Sequence, residues 1–233
     1  MIRLVLQRFR RRPSISATAL LPLSFALAAC GARTPAGTIE PGVEQQAVAA
    51  TMPAVNRFVA FDWTLVDGGS RFRGAGAARI ANDMRARLDL FGPQDVLYLS
   101  AILRDDRLTM PPGVPARVVP PAPLLWASLG VIRPPTGSEV LVAEVHDGET
   151  RLVYRAADGT WTFRARGGAL VHAEWQTSAG ARHTVELTGS SAGAPPQHAR
   201  YRDWQEYREL VLELEQQEEV DAFPPETWSL EPR

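Results

Sequence analysis

The chain contains no lysine and a single cysteine, Cys30. Without lysine there is no Schiff-base amine and no phosphate-loop lysine. Without a second cysteine there is no intrachain disulfide and no thiolate metal cluster. Long apolar runs are equally scarce: the most apolar stretch, Ile15 to Ala29, falls short of the ~20 residues that cross a bilayer. Excess positive charge is also missing beyond the N-terminus. Arg3, Arg8, Arg10, Arg11 and Arg12 precede the apolar run with no acid among them, and the other 20 of the 25 basic residues face 26 acids, a net of −6. A basic nucleic-acid footprint is therefore absent, and no nucleic-acid partner is expected.

What is present begins at that N-terminus. A basic flank and a short apolar core read as a secretion signal. The run ends Leu27-Ala28-Ala29-Cys30-Gly31, which resembles the lipobox cut by lipoprotein signal peptidase. Small residues let the peptidase approach the backbone, and the Cys30 sulfur takes the diacylglycerol. We expect a signal peptide at 1–29, cleavage between Ala29 and Cys30, and covalent lipid on Cys30 as the sole non-protein group, with no cofactor. Two acyl chains at ~0.8 kcal/mol per buried CH₂ hold a protein on a membrane stably. The alternatives are an ordinary signal peptide with an incidental cysteine, or a twin-arginine signal at Arg11-Arg12, which Pro13-Ser14-Ile15 fit poorly. Gly31, in place of Asp, points to the periplasmic face of the outer membrane if the enterobacterial sorting rule applies.

Residues 30–42 are rich in Pro, Gly and Thr and read as the lipidated cysteine and a flexible tether. The remainder, 43–233, has the length of a single domain. Val43 to Met52 predicts a short helix stopped by Pro53. Then Val59, Phe61, Trp63 and Leu65 alternate with polar neighbours, and further strands are predicted at Phe72–Ile80, Met84–Leu90 and Val96–Leu103. Arg107 to Pro123 is proline-dense and cannot donate a regular ladder. Pro123 opens a short apolar helix, Leu124 to Leu129, ended by Gly130. After Pro134-Pro135 the meander resumes with Asp147-Gly148, Asp158-Gly159 and Gly167-Gly168 as hairpin turns. The last strand is predicted from Tyr201 to Glu215. The sum is a mainly β chain of about ten antiparallel strands, curved into a half-open barrel with a few short helices.

Catalytic patterns are lacking. His146, His172, His183 and His198 are scattered, His172 and Glu174 share a strand face that reads as solvated, and no metal site is expected. No Gly-x-Ser-x-Gly elbow occurs, so no catalytic residue is assigned and the chain is expected not to be an enzyme. Glu213, Glu215, Glu218, Glu219 and Asp221 read as an exposed edge that resists strand pairing.

These residues carry a resemblance. The lipobox, the short helix, the first strand with Trp63, the run Arg85-Ala86-Arg87-Leu88-Asp89-Leu90-Phe91-Gly92-Pro93 and the ending Glu219-Val220-Asp221-Ala222-Phe223-Pro224-Pro225-Glu226 resemble the LolA/LolB superfamily, in particular its anchored outer-membrane receptor. The resemblance covers most of Asn56 to Trp228 as pattern. It implies a half-open barrel around an apolar cavity, lidded by short helices, that receives the acyl chains of lipoproteins or lipids. It also implies a soluble LolA-like carrier as partner and an apolar side chain on a membrane-facing loop, for which Leu108 and Met110 are the candidates.

The residues expected to face inward are Phe61, Trp63, Leu88, Leu90, Val96, Tyr98, Trp126, Trp161, Phe163, Val171, Trp175, Val185, Leu187, Leu210 and Leu212. They either line a cavity or fill a solid core. A chain of about sixteen carbons entering such a cavity gains at most ~12 kcal/mol, close to what bilayer offers, so transfer would be near-balanced. The competing reading is an envelope lipoprotein that serves as a protein-binding module or scaffold with a filled core.

Overall fold

A computed structural model describes residues 37–114 and 118–230; the predicted signal segment, Ala29 and Cys30 lie outside them. Two α-helices occur among the described residues, α1 (Val43–Thr51) and α2 (Ala122–Ser128). The strands are β1 (Asn56–Asp67), β2 (Ser70–Ala81), β3 (Arg85–Phe91), β4 (Leu97–Arg104), β5 (Arg107–Thr109), β6 (Glu139–His146), β7 (Glu149–Ala156), β8 (Gly159–Arg166), β9 (Ala169–Thr177), β10 (Arg182–Thr188), β11 (His198–Asp203) and β12 (Arg208–Val220). They form one antiparallel sheet in the order β5-β4-β3-β2-β1-β12-β11-β10-β9-β8-β7-β6. The chain thus lays down two meanders and zips them together by pairing β1 with β12 along the length of β1. β5 and β6 end the sheet on opposite sides and do not pair, so the barrel stays half open.

Register turns the alternation of the sequence into transverse rows on the inner face. One row reads Leu152, Phe163, Ala173, Val185, Tyr201, Leu210, Leu65 and Phe72 across eight strands. Another reads Leu187, Ala199, Leu212, Trp63 and Gly74. In β2 the large inner side chains of β1 meet glycine: Phe61 lies opposite Gly76 and Trp63 opposite Gly74. A Cβ at Gly76 would sit 2.2 Å from the Phe61 ring, and one at Gly74 1.9 Å from the Phe91 carbonyl oxygen. The missing side chains are what let the Trp63 indole lie flat and donate to the carbonyls of Ala75 (2.9 Å) and Phe91 (3.1 Å).

α1 packs on β6, β7 and β9. Its Thr51 hydroxyl donates to the Val48 carbonyl and accepts the Ile132 N–H, both at 3.0 Å. All seven residues of α2 are buried, against β9, β10 and β11.

The structure corrects several expectations. Twelve strands replace about ten. Arg107–Thr109 makes a short β5 inside the proline-dense stretch. The expected strand from Tyr201 to Glu215 is a hairpin, because the Asp203 carboxylate accepts the N–H groups of Gln205 and Glu206 at 3.0 Å each and bends the chain back. The acidic run is no simple edge. β12 is central, but β11 reaches only to Glu213, so the acids beyond it sit on a strand paired on one side alone, with β1. The last residues of the expected tether are fixed. Ile39 bridges Ala143 of β6 in parallel, with backbone bonds from Ala143 N–H to Thr38 and from Glu40 N–H to Ala143.

Candidate binding site on the inner face

The inner face is roofed by the segment joining β4 to β6. Its first part, Arg104 to Val114 with Val118 to Pro121, is a strap around the open side of the sheet, and its second part is α2. Few directed bonds hold the strap. The Trp126 indole N–H donates to the Asp105 carbonyl at 2.5 Å, Arg133 pairs with the Asp105 carboxylate at 3.0 Å, and the Asp106 carboxylate accepts the Thr136 N–H at 3.1 Å. The Thr136 bonds hold the Asp106 carboxyl below its ordinary range.

Opposite the strap, cross-strand register assembles a row from Tyr154, Trp161, Trp175, His183, Asp203 and Arg208. Trp161 and Trp175 stack with centroids 4.9 Å apart and 9° between planes. His183 stacks on Trp175 at 4.8 Å. The His183 Nδ1 lies 3.1 Å from the Tyr201 hydroxyl and 3.8 Å from the Asp203 carboxylate. Arg208 reaches the Asp67 carboxylate at 3.1 Å and that of Asp203 at 4.0 Å. Burial pushes the His183 ring below the usual imidazole range, against the pull of Asp203. Burial, then the Asp203 carboxylate, raises the Tyr201 hydroxyl.

Between strap and row runs a cleft of about 470 Å³, within the size range of small-ligand sites. Leu108, Met110, Val119, Pro121 and Ala122 form one side, His183, Tyr201, Asp203 and Arg208 the other, with Asp106 at the rim. Where α1, β2 and the segment after α2 meet, the gap is about 10 Å³, the limit of one water. A larger cleft of about 830 Å³ lies on the outer face around Arg79, Arg87, Asp89 and Ser100. Its centre is a buried charge cluster in which Asp89 accepts from Arg79 at 2.7 Å, Arg87 at 2.9 Å and Ser100 at 2.6 Å. Arg87 also donates to the carbonyls of Thr227 and Ser229 at 3.0 Å each and pins the C-terminal arm. That site is polar and does not suit a hydrocarbon.

Of the residues expected inside, Phe61, Trp63, Leu88, Leu90, Trp126, Trp161, Phe163, Val185, Leu187, Leu210 and Leu212 are buried in one core cluster, with Trp175 packed at its margin. They pack together with α2, so most of the expected cavity lining is filled core here. Val96 does not face inward, and Tyr98 lies against the inner-face rings of Trp63 and Phe72 but at an exposed margin. A bulge opposite Phe91 shifts the register of β4, leaving Val96 63% and Tyr98 45% exposed, with the Tyr98 ring stacked over Trp63 at 5.4 Å. Val171 is the extra residue of a bulge in β9 and only half-buried. Leu108 and Met110 do not project from a loop: β5 turns them onto the core, half-buried. The apolar side chains that do project are Val96 and Leu97 (50%), beside Tyr98 and Phe72 (42%). Sequence reasoning missed the polar half of the cleft. His183, Asp203 and Arg208 lie on different strands, and only the register aligns them.

Among the described residues no three His, Cys, Asp or Glu side chains converge as metal ligands, and no helix is long and apolar enough to cross a membrane. His172 and Glu174 are an outer-face pair at 3.8 Å, joined by Arg182 at 2.7 Å. The neighbouring His172 ring comes first in lowering the Glu174 carboxyl, with Arg182 adding to it.

No family model and no curated protein matches the sequence. Solved structures do. The LolA superfamily protein NE2245 from Nitrosomonas europaea superposes with a TM-score of 0.55 over 83% of this chain and 98% of its own, at 12% identity. A domain named as an outer membrane lipoprotein-sorting protein, from Vibrio parahaemolyticus, gives 0.53 over 80% and 94%, at 10% identity. At these identities the likeness is one of fold, and the chain has a LolA-like fold.

Proposed function

We propose that this chain is a lipid-anchored envelope lipoprotein, LolB-like in role, whose inner face takes the acyl chains of lipoproteins or lipids. One observation carries the reading: the inner face of a half-open sheet is apolar except where His183, Asp203 and Arg208 meet the cleft, and it is roofed by a seven-residue helix and a proline-rich strap, not by a second sheet. α2 and the strap beyond β5 can move aside without breaking the sheet, in which β5 stays paired with β4. Cys30 would hold the protein on the periplasmic face of the outer membrane, and a soluble LolA-like carrier would deliver the cargo. The membrane-facing apolar group is then Val96-Leu97-Tyr98 with Phe72, in place of Leu108 and Met110, since exposed apolar patches of this kind mark contact surfaces.

The complete burial of α2 favours a second reading, a non-catalytic module with a filled core that binds protein partners on its surface. Mass spectrometry of lipids co-purified with a secreted Cys30→Ala form separates the two. Stoichiometric acyl chains are the expected result, and a lipid-free protein would leave the filled-core module.

A further inference from the structure

We propose that the cleft under the strap selects acyl chains by their heads, admitting an uncharged or amine-bearing head and turning away a free carboxylate. The inference rests on the acyl-binding reading above and deepens it. The cleft is two-faced: Leu108, Met110 and Val119 offer a path for a hydrocarbon, and across from them stand His183, Tyr201 and Asp203. Among the described residues that line it the cation is Arg208, and this guanidinium is engaged by Asp67 at 3.1 Å and lies 4.0 Å from Asp203. Asp203 and Arg208 are 6% and 5% exposed, so their fields are little screened by water. His183, kept neutral by burial at pH 7, adds no charge. Among the lining residues Asp106 and Asp203 against Arg208 leave an excess of one negative charge, and Asp67 engages Arg208 from outside the cleft.

A carboxylate head entering here sheds its hydration and meets like charge, the arrangement that interfaces use to reject wrong partners. An ammonium or hydroxyl head instead finds acceptors in Asp106, Asp203 and the Tyr201 oxygen, and its chain can lie along Leu108 and Met110. Heads of this kind occur on glycerides and on amine-bearing lipids. Free fatty acid, the hydrolysis product of either, is the molecule to be excluded.

The test is calorimetric titration of the secreted Cys30→Ala form with dodecylammonium, monododecanoylglycerol and dodecanoate, each below its micelle concentration. The first two are expected to bind at least about tenfold tighter than dodecanoate. Asp203→Asn keeps the oxygen that accepts the Gln205 and Glu206 N–H groups, and Asp106→Asn lies on the strap, outside the core. Each should bring dodecanoate about threefold closer to monododecanoylglycerol, and Asp106→Asn decides the matter if Asp203→Asn does not fold. Equal affinity for all three probes overturns head selection and leaves acyl binding standing. Binding of none overturns both.

Discussion

Two surfaces of opposite construction face each other across the cleft. The wall of β8 to β11 is built by register: each inner side chain has a cross-strand partner, and Phe163, Ala173 and Val185 are wholly out of water. The strap has one three-residue strand, half-buried Leu108 and Met110, and prolines that donate no backbone hydrogen bond. Regions with few buried apolar contacts open at low free energy, while the sheet that frames them opens only with global unfolding. The difference teaches where a ligand would enter. It would displace the strap beyond β5 and leave the wall intact.

That contrast can be broken at several points. The largest expected effect is on the wall: Phe163→Ala should cost ~3–5 kcal/mol in urea unfolding, as ring deletions from closed cores do. Leu108→Ala on the strap should cost about 1 kcal/mol or less, and equal costs would erase the distinction. Amide hydrogen exchange gives a milder measure. Strap amides near Leu108 and Val114 should exchange about a hundredfold faster than those of β8 and β9. Binding of the unlipidated form to lipid vesicles sharpens the assignment of the membrane face. Leu97→Ser should weaken it about threefold or more, and Leu108→Ser should leave it unchanged. The smallest effect concerns pH. Because the folded protein holds the His183 ring below its unfolded range near 6.5, the unfolded chain binds more protons there, and stability should fall as pH drops below ~6.5. His183→Gln should flatten that fall, on top of a pH-independent cost from the lost stacking on Trp175.

The sheet was legible because alternation survives in the sequence wherever one face is buried. Val59 to Leu65 and Trp161 to Phe163 point as they were read, and Asp147-Gly148 turns with φ of 49° and 74°, as a two-residue hairpin needs. Errors fell where a local device overrides periodicity. The turn at Asp203 split a predicted strand, and bulges at Phe91 and Val171 left Val96 exposed and Val171 half-buried. Leu108 and Met110 stood as loop candidates on the resemblance alone, while their half-burial is decided by what β4 and β5 lay the chain against. The polar side of the cleft joins residues from β10, β11 and β12 and has no sequence motif at all.

The pairing of Thr38 to Glu40 with Ala143 gives one short segment two duties. It is the last stretch leading from the expected lipid, and it also covers part of β6, a terminal strand whose bare amides would otherwise invite foreign strands. A protease cutting upstream of Gly37 would release a domain with that cover in place. A cut after Glu40 would release one with an adhesive margin, so whether shedding yields free monomer or aggregate is set by a few residues at the point of cleavage.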